Sequence, residues 1–343
     1  MALLPVKVKK RSKYRVGIVG CGQIGAFFEI EPKREKPASH AGAAVLNDKT
    51  DLVALVDTNV KNLAAARTLF PGAANYTSLG ECLKTEHLDI LIIATPPQTH
   101  LSLLKECVRF AVPMVICEKP LAASVKEAKQ IEVLVAESGM ILVLNYQRRF
   151  SPLFARVRTD IRKGKLGRIQ QITCYYSNGL YSNGGHVIDA LAYVLNDDIA
   201  SVIGIQNDMN KTHSENDINV DALLTTKKGV KIVLQSFDQK EYGIHDLRIY
   251  GTEGNAILTD YGRTLIEEPA RSSRFVGIRQ LNRAQAQITQ VPFSDTEGAL
   301  AHAIECYEDR RPPISSVMSG LSVLRVLDAI AKSARQGGKK IIV

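Results

Sequence analysis

The chain leaves an apolar run with an acid, a base and a proline at Val115-Ile116-Cys117-Glu118-Lys119-Pro120-Leu121. The run reads as a buried strand, so Glu118 and Lys119 stand where the backbone exits the core. A lysine there can give a proton or a hydrogen bond to an oxygen that gains negative charge. Pro120 fixes the backbone and removes a competing amide. Upstream, Gly20-Cys21-Gly22-Gln23-Ile24-Gly25 follows directly on the apolar run from Tyr14 to Val19. Glycines at that spacing permit a tight turn, a close approach to a pyrophosphate and packing of the next helix on the sheet. A second apolar run, Asp51 to Val56, ends in Asp57. An acid at that place hydrogen-bonds ribose hydroxyls and repels a 2′-phosphate, so NAD is expected rather than NADP. The segment from Glu29 to Ala43 lengthens the interval between glycines and acid; its prolines and charges read as a surface loop.

Further apolar runs at Leu88 to Ala94, Val112 to Cys117 and Ile141 to Leu144 have the continuous character of strands buried on both faces. Helical spacing appears between them: Leu101, Leu104, Val108 and Ala111, then a capped start at Ser124 with Glu127. Alternating strands and helices predict a parallel, doubly wound sheet with every strand's C-terminal end on one edge. The pattern changes at Ser151-Pro152, which reads as the start of a helix to about Lys163. Strand signals then recur at short intervals from Arg168 to Thr259, and an amphipathic helix covers about Val317 to Arg335. The expected architecture is α/β: a dinucleotide-binding Rossmann domain over residues 1–146, then residues 147–343 as an α/β domain with an open, mostly antiparallel sheet. The last helix is free to pack back on the first domain.

Composition narrows the classes. At 343 residues, 45% hydrophobic and 23% charged, the chain reads as an ordinary globular protein of two domains. The formal net charge is +9, but six Lys and Arg fall within the first 15 residues, so the body is nearly balanced. This argues against nucleic-acid binding. No run approaches a membrane span, and the start lacks the order of a secretory leader, so the expectation is a cytoplasmic protein. Six cysteines stand singly, as buried reduced thiols would. No His, Cys or carboxylate cluster has metal spacing.

Read in order, GCGQIG, ATPPQTH (Ala94 to His100), CEKPLA and NYQRRFSP (Asn145 to Pro152) resemble the glucose–fructose oxidoreductase, inositol dehydrogenase and rhizopine-catabolism (Gfo/Idh/MocA) oxidoreductases. YGTEGNAIL and SARQGGKKIIV match in character, so the resemblance spans nearly the whole chain. It implies that Lys119 is the active-site lysine, that Glu118 helps hold the nicotinamide ribose, and that Thr95, Pro96 and His100 line the cofactor cleft. It also places His186, within Tyr181-Ser182-Asn183-Gly184-Gly185-His186-Val187-Ile188-Asp189, at the general-base position. An imidazole titrating near neutrality can take a hydroxyl proton. Where the family often has an aspartate, this chain has Ser182. A second alignment makes Asp189 the acid and Tyr193 the proton carrier.

The reading that follows is an NAD-dependent dehydrogenase acting on a hydroxyl carbon of a sugar, nucleotide sugar or cyclic polyol. Its alternative is a dinucleotide-sensing regulator of the same fold. Asn183, Asp189 and Tyr146 are candidate substrate contacts, and Arg148 is a candidate ligand for a phosphate or carboxylate on an anionic substrate. His213, His245 and His302 stand alone and read as structural or surface residues. An open sheet face predicts a homodimer or homotetramer.

Overall fold

The computed structural model describes residues 12–210, 212, 217–292, 294 and 296–343. Most of the basic N-terminal run, and His213, lie outside the described residues. The chain forms two compact units, Met1–Gln147 with Phe293–Leu321 and Arg148–Pro292 with Ser322–Val343.

In the first unit, β1 (Tyr14–Val19), β2 (Thr50–Val56), β3 (Ala74–Tyr76), β4 (Ile90–Ile93), β5 (Met114–Cys117) and β6 (Ile141–Leu144) form one sheet in the order β3-β2-β1-β4-β5-β6. Every pairing is parallel. The helices are α1 (His40–Leu46), α2 (Val60–Leu69), α3 (Leu79–Thr85), α4 (His100–Arg109) and α5 (Val125–Ser138). All four residues of β4 and of β5 are buried, which is why those runs read as continuous apolar stretches rather than alternating ones. Strand order reverses between β1 and β4, so the C-terminal ends of β1, β2, β4 and β5 flank the crevice where this fold takes a ligand.

The second unit opens with α6 (Pro152–Arg162), β7 (Ile169–Ser177), α7 (Gly185–Leu195), β8 (Ile199–Gln206), β9 (Val220–Thr226) and β10 (Lys231–Phe237). It continues through β11 (His245–Gly251), β12 (Gly254–Thr259), β13 (Thr264–Ser272), β14 (Arg279–Leu281) and β15 (Gln287–Gln290). Then come α8 (Glu297–Asp309), α9 (Val317–Arg335) and β16 (Ile341–Ile342). The sheet runs β14-β13-β12-β11-β7-β10-β9-β8-β16, with β15 also on β13. Only β7 and β10 pair in parallel, so the sheet is mixed and mostly antiparallel.

Helix α8 belongs to the first unit and packs on β5, β6 and α1. It buries Ala299, Leu300, Ala303, Ile304 and Cys306 there. The division falls at Leu321, inside α9, so the segment that returns to the first unit is α8 and the start of α9.

Candidate active site

The glycine loop follows β1 without a spacer. Gly20 has φ of 95°, and a methyl group on it would lie 2.6 Å from the Ala94 carbonyl oxygen. A methyl on Gly25 would overlap the Gly20 carbonyl oxygen, while Gly22 has open space around its Cα. Two glycines thus let the backbone fold on itself, and the middle one leaves room for an approaching group. Asp57, just past β2, accepts hydrogen bonds from the Cys21 amide at 2.8 Å and the Asn59 amide at 2.8 Å. The acid and the loop are therefore locked together. The Cys21 thiol is pushed up to about 12 by burial and by the Asp57 charge, so it stays protonated.

The helix expected after the glycines is split. One turn forms, with the Ala26 amide bonding the Gly22 carbonyl, and a short 3-10 turn follows at Phe27–Ile30. The ladder resumes at His40, whose amide bonds the Ile24 carbonyl at 2.9 Å, and at Ala41, which bonds Gly25 at 3.0 Å. The inserted segment is thus spliced into the first helix. Its expected character as a surface loop holds for residues 30–36 and fails for 37–43, which are buried and include most of α1. The reason is Glu29. Its carboxylate accepts from the Ala38 and Ser39 amides and the Ser39 hydroxyl, and Ser39 Oγ accepts from the Gly42 amide. The start of α1 is satisfied internally, so it can be buried.

On the same sheet edge, the Glu118 amide bonds the Ile93 carbonyl at 2.9 Å. Glu118 Oε1 lies 2.8 Å from His40 Nε2 and accepts from Asn145 Nδ2 at 2.7 Å, and Oε2 accepts from the Lys119 amide at 3.2 Å. Burial alone would raise this carboxyl. The hydrogen bonds from His40 and Asn145 and the Lys119 charge outweigh it and hold the group below the usual carboxylate range. Glu118, expected to hold a ribose, thus has both oxygens engaged inside the unit. Lys119 is half-buried. Thr95 is half-buried and Pro96 exposed at the end of β4. His100 is fully buried behind them. Its Nε2 faces the Thr95 carbonyl at 2.9 Å, and its Nδ1 lies 3.1 Å from the Leu121 carbonyl and 3.3 Å from Cys117 Sγ. Burial raises the Cys117 thiol well above its ordinary value. Both carbonyls accept only, so a neutral ring donates to Thr95 from Nε2 or to Leu121 from Nδ1, not to both. His100 thus sits between the β4 loop and the segment after Lys119. Tyr146 is fully buried in the same unit.

In the second unit, His186 is in the first turn of α7 and is 9% exposed. A π-turn at Leu180–Gly184 precedes it and contains half-buried Asn183. The Asp217 carboxylate accepts from the amides of Tyr181 at 3.0 Å and Ser182 at 2.8 Å. The negative charge absent from Ser182 is supplied to that turn's backbone by Asp217. Asp189 is fully buried, and Arg149 Nε reaches both its oxygens at 2.9 Å. Burial raises the Asp189 carboxyl, against the pull of Arg149 and Arg148. Tyr193 lies under the guanidinium groups of Arg158 and Arg149, at 4.7 and 5.4 Å. Arg148 is 3% exposed and depresses buried His245 further below the value that desolvation already sets. The structure therefore gathers Gly20, Gly22, Gln23, Ile24, Gly25, Asp57, Thr95, Pro96, Glu118 and Lys119 on one sheet edge of the first unit. Asn183, His186, Asp189 and Arg148 belong to the second.

Two residues with evident roles escape a reading of sequence alone. His40 is hidden by the inserted segment, and the only signal for it is that Ser39-His40 opens a helical pattern. Asp217 carries no local signal. Among the described residues, no group of three or more His, Cys, Asp or Glu could hold a metal, and no helix is long and apolar enough to cross a membrane. All six cysteines are buried and free.

Comparison with known proteins agrees with this geometry. Residues 14–146 match the oxidoreductase family with an NAD-binding Rossmann fold, and residues 154–257 match the GFO/IDH/MocA C-terminal domain. The rhizopine catabolism protein MocA of Rhizobium meliloti is 27% identical over 166 residues, 48% of this chain and 47% of that one, about half of either. An inositol 2-dehydrogenase of Mycolicibacterium smegmatis is 26% identical over 284 residues, 73% of this chain and 79% of its own. The WlbA dehydrogenase of Bordetella pertussis, solved with NADH and UDP-GlcNAcA, shares the fold with a TM-score of 0.75 at 22% identity, covering 96% of this chain and 99% of that one. With both domain models of one family matched in order along well over half its length, the chain belongs to the Gfo/Idh/MocA family of NAD-binding oxidoreductases.

Proposed function

We propose that the protein oxidises a hydroxyl carbon of a sugar, nucleotide sugar or cyclic polyol with NAD, or runs the reverse reduction. The observation that carries this is the single sheet edge that holds the open Gly22 backbone, Asp57 and Lys119. NAD, when bound, supplies the hydride acceptor. Gly20 to Gly25 hold the pyrophosphate, and Asp57, held by the Cys21 amide, takes the ribose hydroxyls. Thr95 and Pro96 line the nicotinamide end. Lys119 donates a hydrogen bond to the substrate oxygen as charge develops there. His186 removes the hydroxyl proton, so that loss of a proton from oxygen and of a hydride from carbon leaves a carbonyl. Asp217 fixes the π-turn ahead of His186, and Asp189 and Tyr193, both engaged by arginines, act as supports. This arrangement favours His186 over Tyr193 as the proton carrier. Buried Arg148 is the group for an anionic substituent.

Support for the substrate class comes from the relatives named as inositol dehydrogenases and from the sugar-nucleotide complex of WlbA. Exposed Ile205 and Leu223 on neighbouring strands β8 and β9 support a homodimer or homotetramer through the second sheet, which light scattering tests. The decisive assay is NADH formation with a panel of inositols, aldoses and UDP-sugars. Turnover with at least one, and with NAD over NADP, is expected. Tight NADH binding with no turnover on any of them would replace the dehydrogenase with a dinucleotide-sensing regulator.

A further inference from the structure

We propose that His40 is a positioning residue for Lys119, acting through the Glu118 carboxylate. The inference rests on the role given to Lys119 above. The geometry comes from three places distant in sequence: His40 from α1, Glu118 from the end of β5 and Asn145 from the end of β6. His40 is fully buried, and its Nε2 lies 2.8 Å from Glu118 Oε1. Asn145 Nδ2 reaches the same oxygen at 2.7 Å. His40 Nδ1 is buried with no hydrogen-bond partner, so the economical tautomer is Nε2–H with a bare Nδ1. Two N–H groups then converge on one carboxylate oxygen, and the other oxygen holds the Lys119 amide. Hydrogen bonds to an ionised acceptor in a buried setting are among the stronger ones available to a protein.

The placement of His40 explains why its helix must resume where it does. The His40 amide bonds the Ile24 carbonyl and the Ala41 amide the Gly25 carbonyl, so the imidazole is anchored to the glycine loop by backbone. From the other side, Ser294 Oγ donates to the Pro37 carbonyl and Thr296 Oγ1 to the Ser39 carbonyl. One short path therefore joins the cofactor loop, His40, Glu118 and the lysine. A core histidine would need only to fill space. This one spends its donor on the residue before Lys119.

The test compares His40→Leu, which fills the volume without a donor, with His40→Gln, which can donate to Glu118. Amide hydrogen exchange of the peptide spanning Met114–Leu121 is measured on the substrate-free protein, with the β1 peptide as reference. The emission lifetime of bound NADH is measured beside it. We expect His40→Leu to speed exchange in the Met114–Leu121 peptide about tenfold, to leave β1 unchanged, and to alter the NADH lifetime. His40→Gln should restore both. If His40→Leu does not fold, His40→Met, which likewise has no donor for Glu118, takes its place with the same expectation. Unchanged exchange, acceleration shared equally by β1, or a Gln variant indistinguishable from Leu would overturn the proposal. Neither readout needs a substrate. Absence of turnover on every sugar would sink the dehydrogenase reading and leave this result standing.

Discussion

At the scale of the residue, the chemistry depends on which charges are committed inside the protein and which are offered outward. Lys119 follows a carboxylate fixed by three N–H groups, so it is placed rather than loosely tethered. Replacement of Lys119 by Ala is expected to cut turnover at least about a hundredfold while NADH binding, read by fluorescence titration, is retained. Asp57 holds the Cys21 amide, and in the function proposed above it also carries the charge that opposes a 2′-phosphate. Asp57→Asn keeps an acceptor for the amide and removes the charge. The NAD to NADP ratio of kcat/KM should fall at least about tenfold with little change in melting temperature. His245 gives a pH prediction. Burial first, then the Arg148 charge, depress its proton affinity well below the ordinary value. Above about pH 6.5 it is neutral whether folded or unfolded, and it has no effect. Below that, only the unfolded chain takes the proton, so stability falls as pH drops, by up to about 1.4 kcal/mol per unit. Denaturant melts at descending pH should show a shallower decline in His245→Gln.

At the scale of the element, local signals account for most of what could be read in advance. Continuous apolar runs located β1, β2, β4, β5 and β6 within a residue or two, because burial on both faces leaves its mark in consecutive positions. Ser124 with Glu127 marked α5, where Ser124 Oγ does accept the Glu127 amide at 3.2 Å. The last helix was legible to the residue through its apolar stripe. What stayed hidden depends on pairings that leave no periodic mark. Glu29 makes α1 buriable from nine and ten positions away, the ladder from Ile24 to His40 crosses the insertion, and Asp217 serves a turn more than 30 positions earlier. Neither helical nor strand spacing reveals such pairs. That the glycine loop and Asp57 share one sheet edge was accordingly readable from spacing, whereas His40 and Asp217 needed coordinates. His100 and Glu118 were expected from resemblance to line the cleft, and their contacts within the first unit also brace its loops. The glycine loop makes its own prediction. A methyl on Gly25 meets backbone, which cannot swing aside, so Gly25→Ala should cost about 2–3 kcal/mol. It should also weaken NADH binding at least tenfold or so by displacing the Gly20 carbonyl, checked by thermal melts and titration.

At the scale of the whole molecule, the first unit is not a contiguous stretch of chain. Helix α8, encoded about 150 positions after β6 ends, covers β5, β6 and α1 with a buried face that is apolar except for His302. A fragment that stops at Gln147 would leave that face in water. It is expected to bind a hydrophobic dye and to melt without cooperativity; a sharp thermal transition in that fragment would show that α8 is dispensable. The spliced helix has the opposite character. The chain leaves the ladder after Phe28 and rejoins it at His40 as if nothing had intervened, and residues 30–36 are the more exposed part of what lies between. They act as a parenthesis in the chain: what is written inside can lengthen or change while the text on either side stays in register. A reporter epitope grafted between Ile30 and Lys36 should therefore be displayed with the dinucleotide loop undisturbed. A motif search that demands fixed spacing from glycines to acid will pass over chains whose parenthesis is longer still.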